Sequence, residues 1–231
     1  MSAPEALSTR DGHLPELEEV ARVAREMHRI GLVVGTAGNV SARLDDGTFA
    51  LTASSVPYPS MDSDDVVRVD AAGEMVDGRG SPSSEKSLHL ACYSRHPEVG
   101  GVVHCHPAYA SMFAIAHRAI PAVIEEVIVY IGGEVAVCDY RRTGSEELAD
   151  VVSEALGDRS ATLMANHGLV CVGRDPADAL HAAEVVERTA QIVWGATALG
   201  GAKEFDEGVV SDFAGVYAFI RSEMWGAAEA L

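Results

Sequence analysis

The sequence predicts an α/β fold in which helices pack on a mixed sheet. Amphipathic helical segments alternate with short β-rich segments, but without the regular ~30-residue βαβ period of a Rossmann fold. Turn signals such as Asp45-Asp46-Gly47 separate the short strands of the N-terminal half, which favours antiparallel pairing there. The length of 231 residues, with 48% hydrophobic, predicts one domain over residues 1–231.

The N-terminal half begins with a predicted helix. Apolar residues recur at helical spacing from Leu14 to Ile30, and Gly31 is expected to end this helix. Ser83 or Ser84 is expected to cap a second helix that runs to about Arg95. A further helix should follow Pro107. Strands are expected at 40–43, 48–52, 66–69 and 100–104.

The C-terminal half is predicted to hold three strands and three helices. The strands are expected at 134–138, 161–164 and 169–172, with a tight turn between the last two. Ser145 can cap a helix to about Leu156, and Asp175-Pro176 opens a long helix through Leu199. A last helix at about 209–226 is expected to follow a core of about residues 14–200.

Charge and composition exclude several classes of partner. A formal net charge of -18 should repel nucleic acid and anionic lipid surfaces. The sequence has no apolar run long enough for a membrane span, and its acidic start lacks the features of a secretory signal, so the cytoplasm is the expected location. The four cysteines are well separated and are predicted to be free thiols.

Three histidines are candidates for a metal site. His104 and His106 lie two residues apart at the end of a β-rich segment, so both side chains should project to one side while Cys105 points into the core. His167 lies in a polar turn between two apolar strands. Three imidazoles with an open fourth position are typical of catalytic zinc. The alternative is that these are polar residues on a solvated edge.

Two segments are candidates for anion binding. Pro82-Ser83-Ser84-Glu85 begins a predicted helix, where free backbone N–H groups and hydroxyls favour a phosphate. The glycine-rich turn at 35–39 could present further N–H groups. The alternatives are a simple N-cap and a simple turn.

Together these segments resemble the class II aldolase/adducin family, and within it the L-fuculose-1-phosphate aldolases. They stand in family order between about residues 20 and 195. The matching segments are Gly35-Thr36-Ala37-Gly38-Asn39-Val40-Ser41, Val56-Pro57-Tyr58, Pro82-Ser83-Ser84-Glu85, Val102-Val103-His104-Cys105-His106, Ile120-Pro121-Ala122 and Asn166-His167-Gly168-Leu169.

The resemblance implies a three-layer αβα sandwich with a mixed, largely antiparallel central sheet, and a homotetramer with active sites between subunits. It implies a divalent metal, with zinc as first choice and manganese or cobalt as alternatives, and no organic cofactor. His104, His106 and His167 match the metal ligands, and Glu85 matches the catalytic acid/base. The residues that match the phosphate-binding set are Gly38, Asn39, Ser54, Ser83 and Ser84.

The activity that the resemblance implies is reversible retro-aldol cleavage. The substrate would be a short ketose 1-phosphate, such as L-fuculose 1-phosphate or a 5-deoxypentulose 1-phosphate, and the products dihydroxyacetone phosphate and an aldehyde. Glu85 favours an aldolase, since the related 4-epimerases carry aspartate there. One alternative is a metal-dependent decarboxylase of a hydroxy or keto acid. Another is a non-catalytic, adducin-like oligomeric scaffold, which the retained metal ligands disfavour.

The sequence departs from the aldolases at three places. Ala53-Ser54-Ser55 stands where they usually have Pro-Thr-Gly. The tyrosine that contacts the aldehyde half of the substrate is displaced here to Tyr130, and Glu125 and Glu126 are alternative residues for that side of the pocket. The C-terminal helix also differs, and no catalytic residue is assigned to it.

Overall fold

The computed structural model describes residues 14–225 of the chain. The helices in this part of the chain are α1 (Pro15–Arg29), α2 (Lys86–Arg95), α3 (Ala108–Ala116), α4 (Glu125–Ile131), α5 (Glu146–Leu156), α6 (Pro176–Thr197) and α7 (Glu207–Met224). The strands are β1 (Asn39–Arg43), β2 (Phe49–Thr52), β3 (Val66–Val69), β4 (Met75–Asp77), β5 (Gly101–Cys105), β6 (Val137–Cys138), β7 (Ala161–Met164) and β8 (Gly168–Gly173).

The eight strands form one sheet in the order β4-β3-β2-β1-β5-β8-β7-β6. Every neighbouring pair is antiparallel except β6 and β7, which run parallel. This confirms the expected mixed, largely antiparallel sheet. β5 lies at the centre between β1 and β8, so the strand that carries His104 is supported on both sides.

Helices cover both faces of the sheet because the strand side chains alternate. Val103 and Cys105 of β5 join a core with residues of α1 and α6, including Val20 and Ala183. On the opposite face Val102 packs with residues of α2 and α5. The expected three-layer αβα arrangement is confirmed, as is the inward direction of Cys105.

Some predicted boundaries were wrong. Neither Ser83 nor Ser84 is the N-cap residue of α2, because the helix begins at Lys86 and Glu85 occupies the cap position. The strand expected at 134–138 shortens to β6, although Val135 still forms an isolated bridge with Ile120. Two elements were not predicted: the short, exposed strand β4 and helix α4.

The last helix begins earlier than expected, at Glu207. The expected end near residue 226 lies outside the described residues. No helix in the described range is both long enough and apolar enough to cross a membrane.

Candidate active site

The three predicted histidines come together at one end of the central strands. His104 lies on β5, His106 follows directly after it, and His167 lies in the turn between β7 and β8. The Nε2 atoms of His104 and His106 are 3.0 Å apart, and the ring centroids of His104 and His167 are 4.8 Å apart. One ring nitrogen of each histidine lies within 4.8 Å of the others.

The turn that presents His167 is held by local backbone geometry. Asn166 adopts a left-handed conformation with φ of 55°, and its Oδ1 accepts a hydrogen bond from His117 Nε2 at 2.6 Å. The residue after His167 must be glycine, because a Cβ at Gly168 would lie 2.5 Å from His106 Cδ2 and 2.6 Å from the Cys105 carbonyl oxygen. The sequence Asn-His-Gly therefore places His167 directly against the other two rings.

The histidines are prepared to act as neutral ligands. His104 Nδ1 donates to the Leu169 carbonyl at 3.0 Å, which leaves its Nε2 facing His106 Nε2 and Glu85 Oε2. Burial lowers the pKa of His106 to about 4 and lowers that of His167 below its usual value, so both rings are neutral at neutral pH. His167 Nδ1 is buried and has no hydrogen-bond partner among the described residues. This nitrogen donor set fits a divalent metal ion.

Glu85 lies beside the histidine cluster at the start of α2. Its Oε2 is 3.3 Å from His104 Nε2, and its Oε1 is 3.4 Å from His167 Nε2. Asn39 Nδ2 donates to Oε2 at 3.0 Å, whereas Oε1 is buried with no hydrogen-bond partner in the described chain. Burial raises the pKa of Glu85, but its interaction with His104 and the hydrogen bond from Asn39 outweigh burial and lower the pKa to about 2. The carboxylate is therefore ionised, with one oxygen held and the other free.

A pocket of about 400 Å³ opens onto this cluster. It is lined by all five residues predicted to bind phosphate, together with Glu85, His106 and His167. The predicted residues on its wall are Gly38, Asn39, Ser54, Ser83 and Ser84. A bridge between Ala53 and Pro82 aligns the two serine segments, which are distant in sequence.

The glycine-rich turn is fixed against the metal-site strand. Gly38 has φ of +78°, and a Cβ there would lie 2.6 Å from the His104 carbonyl oxygen and 2.8 Å from a Val33 methyl group. Tyr58 Oη donates to the Gly38 carbonyl at 2.6 Å from the other side. These contacts explain why the turn needs glycine, and they hold Asn39 in reach of Glu85.

Sequence reasoning missed part of the pocket wall. Thr36 and Ala37 belong to the predicted glycine-rich turn, whereas the additional residues are Thr52, Ala53, Ser55 and Thr143. Ser55 stands where the family usually carries glycine. A glycine at that position indicates a left-handed backbone, and Ser55 has this conformation, with φ of 66°. Thr143 lies between β6 and α5, and no motif in the sequence marks it.

The candidates for the aldehyde side lie elsewhere in the described chain. Tyr130 packs edge-on against His181, with ring centroids 4.8 Å apart, in a separate cavity beneath α7. Glu125 and Glu126 are exposed in the first turn of α4. None of the three lines the pocket formed by the histidines.

Known proteins share both this fold and this sequence. The 5-deoxy-D-ribulose 1-phosphate aldolase of Bacillus thuringiensis serovar kurstaki is 33% identical over 200 residues, which are 86% of this chain and 93% of that protein. The L-ribulose-5-phosphate 4-epimerase of Salmonella paratyphi B is 36% identical over 189 residues, covering 77% of this chain and 83% of that protein.

Among solved structures, an L-fuculose 1-phosphate aldolase superposes with a TM-score of 0.85 at 27% identity, covering 90% of this chain and 98% of that one. The sequence model for the family described as "Class II Aldolase and Adducin N-terminal domain" matches residues 18–194. The histidine cluster and these relatives together imply a divalent metal. The match extends over most of the chain, and the chain therefore belongs to the class II aldolase and adducin family.

Proposed function

We propose that this protein is a zinc-dependent aldolase that cleaves a short ketose 1-phosphate to dihydroxyacetone phosphate and an aldehyde. The aldolases among its relatives act on 5-deoxy-D-ribulose 1-phosphate and L-fuculose 1-phosphate, and these two sugars are the leading substrate candidates. The observation that carries the proposal is Glu85, whose buried Oε1 has no hydrogen-bond partner among the described residues and lies beside three clustered histidines at a pocket of about 400 Å³.

The phosphate half of the substrate would bind at the start of α2 and at the glycine-rich turn. Ser83 and Ser84 line the pocket there, and Gly38 and Asn39 line it from the opposite segment. Hydroxyls and free N–H groups near a helix start are suitable donors for phosphate oxygens. Ser54 closes the wall between the two segments.

The reacting carbons would then lie beside Glu85. His104, His106 and His167 would hold a divalent cation, which would supply Lewis-acid polarisation of the substrate oxygens. In cleavage, Glu85 takes up the proton that the C4 hydroxyl loses as the C3–C4 bond breaks, and its Oε1 delivers that proton to C3; in the synthetic direction Oε1 removes it from C3. Asn39 holds the other oxygen, Oε2, so the proton moves at one defined atom.

The deciding experiment is a substrate panel. Metal-loaded protein is incubated with ketose 1-phosphates, and dihydroxyacetone phosphate is followed with a coupled reductase. We expect product from at least one deoxyketose phosphate. No product across the panel at full metal occupancy would remove the proposal. Release of carbon dioxide or of a C4 epimer would instead identify the protein as a decarboxylase or an epimerase.

The role of Glu85 has a separate test. Replacement of Glu85 by Gln removes the proton carrier but keeps the size of the side chain, so turnover should fall by about two orders of magnitude or more. Metal content should stay near that of the wild type. Glu147→Gln, an exposed change near the start of α5, is the matched control and should leave turnover unchanged. Near-normal turnover of the Glu85 variant contradicts the assignment.

The proposal includes a homotetramer with active sites between subunits. Large apolar side chains are exposed on the helical layer that carries α3 and α6, among them Met112, Ile115 and Trp194, and a neighbouring subunit would cover such surfaces. The aldehyde side of the pocket would then be completed across the boundary, where Tyr130, Glu125 and Glu126 of one copy could reach a neighbour's site. Sedimentation analysis tests the tetramer, and metal analysis of the purified protein tests zinc.

A further inference from the structure

A buried chain of polar side chains runs from the core to Glu85. His89 lies one helical turn after Glu85 on α2 and is only 1% exposed. Its Nε2 contacts Asn39 Oδ1, and its Nδ1 contacts Ser41 Oγ at 2.6 Å. Ser41 Oγ is in turn 2.8 Å from Tyr93 Oη.

The orientation of the Asn39 amide sets the direction of each hydrogen bond in this network. Asn39 Nδ2 donates to Glu85 Oε2 at 3.0 Å, so its Oδ1 is directed towards His89. Asn39 Oδ1 then requires a proton on His89 Nε2, which leaves Nδ1 to accept from the Ser41 hydroxyl. The single hydroxyl proton of Ser41 is donated to His89, so Tyr93 Oη donates to Ser41 Oγ.

We propose that His89 is a positioning residue that acts through Asn39 to hold Glu85 with Oε1 directed to the reacting carbon. Without the Nε2 proton of His89, Asn39 Oδ1 would be buried without a donor, and the amide would no longer be restricted to one orientation. The carboxylate would then lose the one donor that distinguishes its two oxygens. The effect on turnover rests on the proposed function, but the network itself does not.

The environment of His89 keeps it suited to this role. Burial lowers its pKa to about 3, so the ring stays neutral and keeps one donor and one acceptor at every pH at which the enzyme would work. A protonated ring would instead carry a second donor, on Nδ1. Ser41 would then accept from His89, and the direction of its hydrogen bond with Tyr93 would reverse.

Two substitutions separate hydrogen bonding from packing. His89→Gln can place an NH₂ group towards Asn39 and a carbonyl oxygen towards Ser41, whereas His89→Leu can do neither. We expect the Leu variant to lose about tenfold or more in kcat, the scale of outer-shell substitutions, while KM and metal content stay close to wild type. The Gln variant should retain most of the activity. Equal activity of the Leu variant and the wild type overturns the proposal.

Controls for general damage come from the same helix and from Glu85 itself. His96 is a second buried histidine at the end of α2, bonded to the Ser153 carbonyl and outside the network, so His96→Leu should lower stability without lowering kcat. In a Glu85→Gln background, His89→Leu should cause no further loss in kcat. If His89→Leu lowers kcat as much in the Glu85→Gln background as in the wild type, His89 does not act through Glu85.

A measurement without substrate tests the network independently. In metal-free protein labelled with ¹⁵N-histidine, NMR should show His89 as the neutral tautomer with the proton on Nε2. The opposite tautomer overturns the proposal, whether or not any sugar phosphate is cleaved. If the Leu variant does not fold, Ser41→Ala removes the donor to His89 Nδ1, and its kcat should fall while that of His96→Leu does not. An unchanged kcat in Ser41→Ala counts against the proposal.

Discussion

Ser55 occupies a backbone conformation that ordinarily belongs to glycine. Its φ is 66°, its side chain is exposed, and it lies on the wall of the candidate active-site pocket. A left-handed conformation costs a residue with a Cβ about 1 to 2 kcal/mol. Strain of this kind at a binding site is retained where the side chain serves function. The Ser55 hydroxyl is therefore a candidate for contact with substrate.

Ser55→Gly tests both parts of this interpretation. The change removes the strain but adds unfolded-state entropy, so we expect a net gain in the free energy of unfolding of about 0.5 to 1 kcal/mol, measured by urea denaturation. KM for the ketose phosphate should rise. Ser60→Gly is the control, since Ser60 does not have a positive φ, and it should destabilise the protein. A loss of stability in Ser55→Gly refutes the strain argument.

His89 also makes stability depend on pH. Its pKa is about 3 in the folded protein against 6.5 as the ordinary value, so below pH 6.5 the unfolded chain binds a proton that the folded protein does not. The contribution of neutral His89 to the free energy of unfolding is therefore complete above pH 6.5 and is lost as the pH falls from 6.5 towards 3.

Comparison with His89→Gln isolates this contribution. Between pH 7 and 4.5 the wild type should lose roughly 2 to 3 kcal/mol of unfolding free energy that the Gln variant does not lose, because each pKa unit corresponds to about 1.4 kcal/mol. Urea midpoints measured across this range give both slopes. If the unfolding free energies of the two proteins change with pH in parallel, the protonation of His89 does not differ between the folded and unfolded states.

At the scale of elements, the sequence was most informative where local patterns and packing agree. The spacing of Val20, Ala24 and Met27 predicted α1, and all three are fully buried in the structure. The alternation along β5 likewise predicted that His104 and Cys105 face opposite ways. Both predictions depend only on the period of the element and the presence of one core.

Helix α4 was missed because its local preference is opposed by packing. Its segment is rich in Val and Ile, which favour strands. The helix forms because it places Val127, Ile128 and Ile131 together on one face, where all three are buried in the core with residues of α3 and α6. Contacts between segments distant in sequence decide this case, and a single segment does not show them.

Helix α3 shows a second contact that only the folded chain reveals. Its N-cap is Pro107, directly after His106, and proline has no side-chain oxygen to cap the helix. The Glu187 carboxylate of α6 supplies the cap instead, accepting from Tyr109 N at 2.9 Å and Ala110 N at 2.8 Å. Glu187 thereby anchors the backbone immediately after a predicted metal ligand.

Glu187→Ala should therefore lower the free energy of unfolding by about 1 to 2 kcal/mol, the value of a lost cap and its interaction with the helix dipole. Thermal and urea unfolding measure this change. Glu184→Ala, on the exposed face of the same helix, is the control and should fall within about 0.5 kcal/mol of wild type. Equal effects of the two substitutions would show that the cap contributes no stability.

At the scale of the whole molecule, the fold assembles one site from segments distant in sequence. The pocket draws on the turn before β1, the segment after β2, the start of α2, the end of β5 and the turn between β7 and β8. The residues of the metal and phosphate sets were predicted because several short motifs match those of the family in order and spacing, although no single motif decides the assignment. The position of Thr143 could not, because only the packing of α2 against α5 brings its loop to Ser84.

The overall charge predicts that anion binding at this site depends on the metal. The chain carries a formal net charge of -18, and the described residues that line the pocket include no lysine or arginine. Glu85 adds a negative charge, and the pKa of His106 is too low for it to contribute a positive one at neutral pH. Hydroxyls and N–H groups alone would have to hold a phosphate against this field.

Removal of the metal should therefore weaken the binding of inorganic phosphate by roughly tenfold or more. A charge interaction near a protein surface reaches about 4 kcal/mol at 4 Å, and about 1.4 kcal/mol already corresponds to tenfold. Calorimetry at fixed ionic strength compares chelated protein with protein reloaded with zinc. Zinc should restore binding in the wild type but not in His167→Ala, which loses one ligand of the cluster. Equal phosphate affinity with and without metal would mean that the serine and glycine segments suffice, and that the cation acts only on the carbonyl end of the substrate.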